Sequence, residues 1–235
     1  MYYWKLLGAI LMIISNSKKF IFIHIPKCGG TTISHSLEQR LLPQDVNLGV
    51  NPNRGWGEFV KAYRERFKLT KHSTALEIER AMGKGNFKQY YAFTFSRNPF
   101  ARAYSAYTFT KRADAKHRPD SKRYQDIKNM NFEEFLQSQY MQERQILPAR
   151  QQVEWISGSS AKVNVFKLEE VFENMSALMA KFYKAEITQE TVRARNHSAG
   201  GDDWREMSEK AEEIVCQLFC SDFEVLSYEG SVPRG

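Results

Sequence analysis

Lys27, Gly29, Gly30, Thr31 and Thr32 can together hold an anion, and they stand directly behind the apolar run Phe20-Ile21-Phe22-Ile23-His24-Ile25. That run predicts a strand buried on both faces, interrupted only by His24. Pro26 cannot donate to a sheet ladder, so the strand ends there. The two glycines let the backbone turn and come close to a ligand. Thr31 or Thr32 is expected to cap a helix running on through Ile33 to Leu42. Backbone N–H groups, the positive end of the helix dipole and the Lys27 ammonium then converge on one point, which suits a phosphate-like anion. An ordinary strand-to-helix turn with its lysine in solvent would read the same way, so a second motif has to decide.

That motif is Arg97-Asn98-Pro99-Phe100-Ala101-Arg102-Ala103-Tyr104-Ser105. It follows a second predicted strand, Tyr90 to Phe95, rich in aromatic residues. Pro99 suits the first position of a helix, expected to reach about Lys111. Arg97 leaves the strand end, where α/β sheets bind their ligands. Ser105 lies roughly two turns into the helix. An arginine fork and a hydroxyl can hold a second phosphate, apart from the first. Arg102 either adds charge or pairs with a carboxylate.

The remaining chain supplies the scaffold. Its 235 residues, 42% hydrophobic, suffice for one core, and one domain over residues 12–228 is expected, with a tail at 229–235. Helices are expected over Glu58 to Phe67, Ala75 to Met82, Phe132 to Gln137, Glu169 to Tyr183 and Trp204 to Cys220. A third strand is expected over Val163 to Leu168. Pro43 to Gly57 reads as a loop, Pro148 to Ile156 is ambiguous, and the charged stretch Lys111 to Asn129 reads as a solvated loop. Strands alternating with helices argue for an α/β fold: a three-layer arrangement with a mostly parallel sheet flanked by helices, of P-loop-like nucleotide-binding type.

A net charge of +7 suits polyanionic partners such as nucleotides or acidic glycans, and no nucleic-acid-binding motif is present. Three cysteines do not suggest a disulfide framework; Cys216 and Cys220, one helical turn apart, read as a small apolar pair on a buried face. The apolar run Leu6 to Ile14 is too short to span a membrane, which takes about 20 residues. Met12 is an alternative natural start, which would make residues 1–11 an extension. A membrane-proximal anchor is a further option.

The two motifs together resemble the sulfotransferases that use 3′-phosphoadenosine 5′-phosphosulfate (PAPS). Pro26-Lys27-Cys28-Gly29-Gly30-Thr31-Thr32 is similar to their 5′-phosphosulfate loop, and Arg97-Asn98-Pro99 through Arg102 and Ser105 is similar to their 3′-phosphate motif. The nearest subgroup is the carbohydrate-type family, sulfotransferase family 2-like, found in bacteria and in the Golgi. Weaker similarity runs through Lys71-His72-Ser73-Thr74-Ala75, Phe166-Lys167-Leu168-Glu169 and Asp222-Phe223-Glu224. Cys28 departs from the Thr or Ser of many relatives, but a backbone cradle does not depend on that side chain.

The resemblance implies transfer of a sulfuryl group from PAPS, as co-substrate and without a metal, to a hydroxyl or, less favoured, an amine of an acceptor. The acceptor class it implies is a carbohydrate. Lys27 would stabilise the leaving phosphate with the N–H groups of Gly29, Gly30 and Thr31, and the Thr31 and Thr32 hydroxyls would bond the same group. Arg97 and Ser105 would fix the 3′-phosphate and select this nucleotide over ATP. His72 is the first choice for the base that takes the acceptor proton. His35 and Glu38 are alternatives, and His24 reads as structural. Arg193, Arg195 and His197 could close over the nucleotide or contact an acidic acceptor.

A nucleotide kinase is the first rival reading. A Walker loop needs Gly-Lys-Ser/Thr, and here the lysine precedes the glycines and no such tripeptide exists. A non-catalytic polyanion-binding protein is the second rival; intact Lys27, Arg97 and Ser105 argue against decay. Few cysteines and no clear export signal favour a bacterial cytoplasmic enzyme, with a membrane-associated or Golgi location as the alternative. The sequons at Asn174 and Asn196 would matter only in a secretory lumen.

Overall fold

The computed structural model describes residues 12–49, 57–189, 192 and 203–233. The N-terminal extension, most of the glycine-rich stretch before Gly57, and Arg193, Arg195, Asn196 and His197 lie outside the described residues.

In chain order the strands are β1 (Ile13–Ser15), β2 (Phe20–Phe22), β3 (Val46–Asn47), β4 (Tyr91–Ser96) and β5 (Asn164–Lys167). The helices are α1 (Gly30–Glu38), α2 (Gly57–Phe67), α3 (Ala75–Met82), α4 (Lys84–Phe87), α5 (Pro99–His117), α6 (Lys122–Ile127), α7 (Phe132–Gln137), α8 (Gln139–Gln142), α9 (Val171–Tyr183), α10 (Glu209–Leu218) and α11 (Cys220–Val225). The chain forms two compact units, divided after Ser96, after Val153 and after Asn196.

The first unit contains the sheet, in the order β3-β1-β2-β4-β5. β2, β4 and β5 are parallel, with Phe20 opposite Tyr91 and Phe93 opposite Asn164. Alternation along the central strands feeds both faces. Phe20, Phe22, Phe93 and Phe95 pack with Ile33 and Leu37 of α1 and with Met175, Leu178 and Met179 of α9. Ile21, Ile23 and Ala92 pack on the opposite face with Val60, Ala75, Ile78, Phe87 and Trp155. The unit is therefore three-layered.

Two strands went unpredicted, and both are antiparallel additions at the β1 side. The turn between β1 and β2 carries no glycine; Lys19 supplies the left-handed residue, with φ 54°. Asp45, far along the chain, ties this turn: its carboxylate accepts from Ser15 Oγ at 3.1 Å, Ser17 N at 2.8 Å, Ser17 Oγ at 2.7 Å and Leu42 N at 2.9 Å. The same contacts hold β3 within what reads in sequence as a loop.

The second unit is helical around a core of Phe100, Ala103, Ile127, Phe135, Met141, Val215 and Phe219. Here the solvated-loop expectation for Lys111 to Asn129 fails. α5 continues to His117 and α6 follows, because Arg123 closes a two-pronged pair on the buried Asp114, at 2.5 and 2.6 Å, while Ile127 inserts fully into the core. Ser121 caps α6 through a 3.2 Å bond from Tyr124 N.

The last helix is also corrected. It breaks into a 3₁₀ turn Asp203–Glu206, then α10 capped by Ser208, then α11. Val215 and Phe219 take the buried face, so Cys216 is half-buried and Cys220 exposed; they are not an apolar pair in the core. α7 carries the expected capping box of Asn131 and Glu134. Among the described residues no helix is long and apolar enough to cross a membrane.

Candidate active site

In the first unit the turn after β2 combines two left-handed residues. φ is 70° at Lys27 and 68° at Gly29, and it is not positive at Cys28 between them. Such alternation curls successive N–H groups into a concave anion cradle. α1 opens at Gly30 with Gly29 as its N-cap, and no side chain caps it. Thr31 and Thr32 therefore lie inside the first turn and do not cap the helix, contrary to the sequence expectation. Their neighbours at this end are the N–H groups that a helix leaves without intrahelical partners. α1 also stops at Glu38, short of Leu42.

The two glycines are required for different reasons. Gly29 has the positive φ, and a Cβ there would also press on the Leu168 side chain just after β5. Gly30 faces the His24 imidazole so closely that any Cβ would overlap the ring. The Cys28 side chain is buried, with Sγ 3.8 Å from the Pro26 carbonyl, so its thiol points into the core. A concave run of backbone N–H groups at a helix N-terminus can hold an anion.

His24 is buried, and its ring packs against that of His72 with centroids 4.5 Å apart and planes tilted by 31°. His72 sits in a tight turn before α3. Thr70 Oγ1 accepts from its N–H at 3.1 Å, and its carbonyl accepts from Trp155 Nε1 at 2.8 Å. Thr74 then caps α3 in a capping box with Glu77. His72 Nδ1 lies 3.3 Å from the His24 carbonyl. A carbonyl only accepts, so Nδ1 carries the proton and Nε2 is left as the acceptor.

Burial pushes the His72 pKa down to about 4, helped by the Lys71 ammonium and opposed by the bond to the His24 carbonyl. Burial also lowers His24 well below 6.5, reinforced by the His72, Lys71 and Lys27 charges. Both imidazoles are neutral at pH 7. In the unfolded chain they titrate near 6.5 and bind more protons than the folded form at lower pH. Their contribution to stability is thus full above about pH 6.5 and is lost as pH falls toward about 4. In an NMR titration the His72 ring signal is expected to stay neutral down to about pH 5. The nucleotide anion, once bound, is expected to move that midpoint upward. A midpoint near 6.5 in the free protein would contradict the buried stack.

The alternative bases lie differently. His35 Nδ1 is 3.7 Å from Glu38 Oε2, and its Nε2 is 3.1 Å from Gln39 Nε2. His35 and Glu38 are engaged with each other along their own helix.

In the second unit, Arg97 is half-buried and opens the motif directly after β4. Asn98 caps α5, accepting from Phe100 N at 2.9 Å, and Pro99 takes the first helical position. Ser105 is buried on α5. Arg102 is fully buried, 3.9 Å from Asp222, with its guanidinium over the Phe219 ring at 5.5 Å. Of its two expected roles, pairing with a carboxylate is the one observed. Gln152, which holds the Arg97 main chain, had no signal in the sequence.

A family model, described as the sulfotransferase family, matches residues 11–229. Searches of curated proteins and of solved structures return no match. With the family model covering most of its length, this chain belongs to the sulfotransferase family and is a PAPS-dependent transferase.

Proposed function

We propose that the acceptor is a carbohydrate hydroxyl and that His72 is the base. The carbohydrate acceptor rests on the resemblance to the carbohydrate-type subgroup; the observation that supports the base is the packing of the His72 ring against His24, whose ring in turn lies against Gly30. The imidazole, with Nε2 as its accepting atom, is thus one ring removed from Gly30 of the loop read as the donor site. PAPS supplies the sulfuryl group that an acceptor oxygen displaces from its phosphate. His72 Nε2 takes the proton from that oxygen as the new S–O bond forms. Lys27 and the N–H groups of Gly29, Gly30 and Thr31 stabilise the charge left on the phosphate, and the Thr31 and Thr32 hydroxyls bond the same group. Cys28 contributes its backbone alone. Arg97 and Ser105, at the start of the second unit, hold the 3′-phosphate, which ATP lacks.

A transfer assay with sulfur-labelled PAPS against a panel of oligosaccharides and small alcohols tests the acceptor class. Label is expected in one or more oligosaccharides. Label found only in a non-carbohydrate alcohol or in an amine would overturn that part of the reading.

A further inference from the structure

In the second unit, the main chain of Arg97 is held by a side chain. Gln152 is fully buried and grips both main-chain groups of Arg97. Its Oε1 accepts from the Arg97 N–H at 2.9 Å, and its Nε2 donates to the Arg97 carbonyl at 2.8 Å. The amide accepts through its oxygen and donates through its nitrogen at once. Both main-chain groups of Arg97 are thus held by one side chain of the same unit.

Gln152 is itself anchored. Its N–H donates to Asp222 Oδ2 at 2.9 Å, and the next N–H, of Val153, donates to Asp222 Oδ1 at 3.0 Å. Asp222 is fully buried and lies 3.9 Å from the buried Arg102. The network thus runs from a carboxylate on α11, through one peptide and one amide, to the backbone of Arg97. A guanidinium binds phosphate through a planar fork, so the direction in which its side chain leaves the backbone matters.

We propose that Gln152, anchored by Asp222, is a positioning residue for the nucleotide 3′-phosphate: it fixes the Arg97 backbone so that the guanidinium leaves the strand end in one direction. The proposal rests on the reading of Arg97 as the 3′-phosphate ligand.

Calorimetric titration with 3′-phosphoadenosine 5′-phosphate and with adenosine 5′-phosphate isolates what the 3′-phosphate adds to affinity. In Gln152→Leu the ratio of the two affinities is expected to fall about tenfold or more, because a charge-assisted bond is misdirected. Affinity for adenosine 5′-phosphate is expected to stay within about twofold. Gln152→Glu keeps the shape and the acceptor but loses the donor, and it serves where the leucine variant does not fold; its ratio is expected to fall as well. An unchanged ratio in a folded variant overturns the proposal, and so does an equal loss of both affinities, which marks a merely structural role. Arg97→Ala separates the two claims. If it leaves the ratio intact, the reading of Arg97 fails; if it collapses the ratio and the Gln152 variants do not, only the positioning role fails.

Discussion

His72→Ala is expected to lower turnover by about a hundred- to ten-thousand-fold, the usual contribution of a positioned general base. Affinity for 3′-phosphoadenosine 5′-phosphate is expected to change little, because the proposed cradle consists of backbone N–H groups and Lys27. The main chain of His72 is held by Thr70 and Trp155 through groups that the substitution keeps. A folded variant is therefore expected. Stopped-time assays at saturating PAPS, paired with calorimetric titration of the nucleotide, measure both quantities. Near-normal turnover would remove His72 from the mechanism and return attention to His35 and Glu38. Parallel loss of turnover and nucleotide affinity would make His72 a structural prop of the loop.

Gly30→Ala is the second large effect. The added methyl has to displace the His24 ring, which is buried and stacked on His72. Overpacking of this kind costs about 1–3 kcal/mol of stability. The consequence for function is larger than that figure suggests, since the ring that moves is the one on which His72 rests. Both nucleotide affinity and turnover are expected to fall, and denaturant unfolding is expected to show the loss of stability. Gly29→Ala differs in kind: there the left-handed backbone costs about 1–2 kcal/mol, and the Leu168 side chain is free to shift. A Gly30→Ala protein with wild-type stability and turnover would contradict the contact between His24 and Gly30.

What sequence reasoning reached, and what it missed, follows from the range of the interactions. The turn after β2 was legible because Lys27, Gly29 and Gly30 are adjacent and their chemistry is local. A further reason for Gly30, the room it leaves for the His24 ring, is not local and was not legible. The capping boxes at Thr74 and Asn131 are i, i+3 patterns, and α3 and α7 begin where those patterns put them. The β1–β2 turn was illegible because its glycine-free geometry is held by Asp45, 28 residues from Ser17. α6 was hidden because a charged stretch looks solvated until Asp114 and Arg123 meet. Gln152 was invisible for the same reason, 55 residues from Arg97. His72 came only through the resemblance; its stack on His24 joins positions far apart in the chain.

The central claim is that the two motifs bind a nucleotide with phosphates at both its 3′ and 5′ positions. Titration of the protein with 3′-phosphoadenosine 5′-phosphate and, separately, with ATP tests it most directly. The 3′-phosphorylated nucleotide is expected to bind at least about tenfold more tightly, and Arg97→Ala to erase that preference. ATP binding as tightly or more tightly, or a preference that survives Arg97→Ala, would contradict the account.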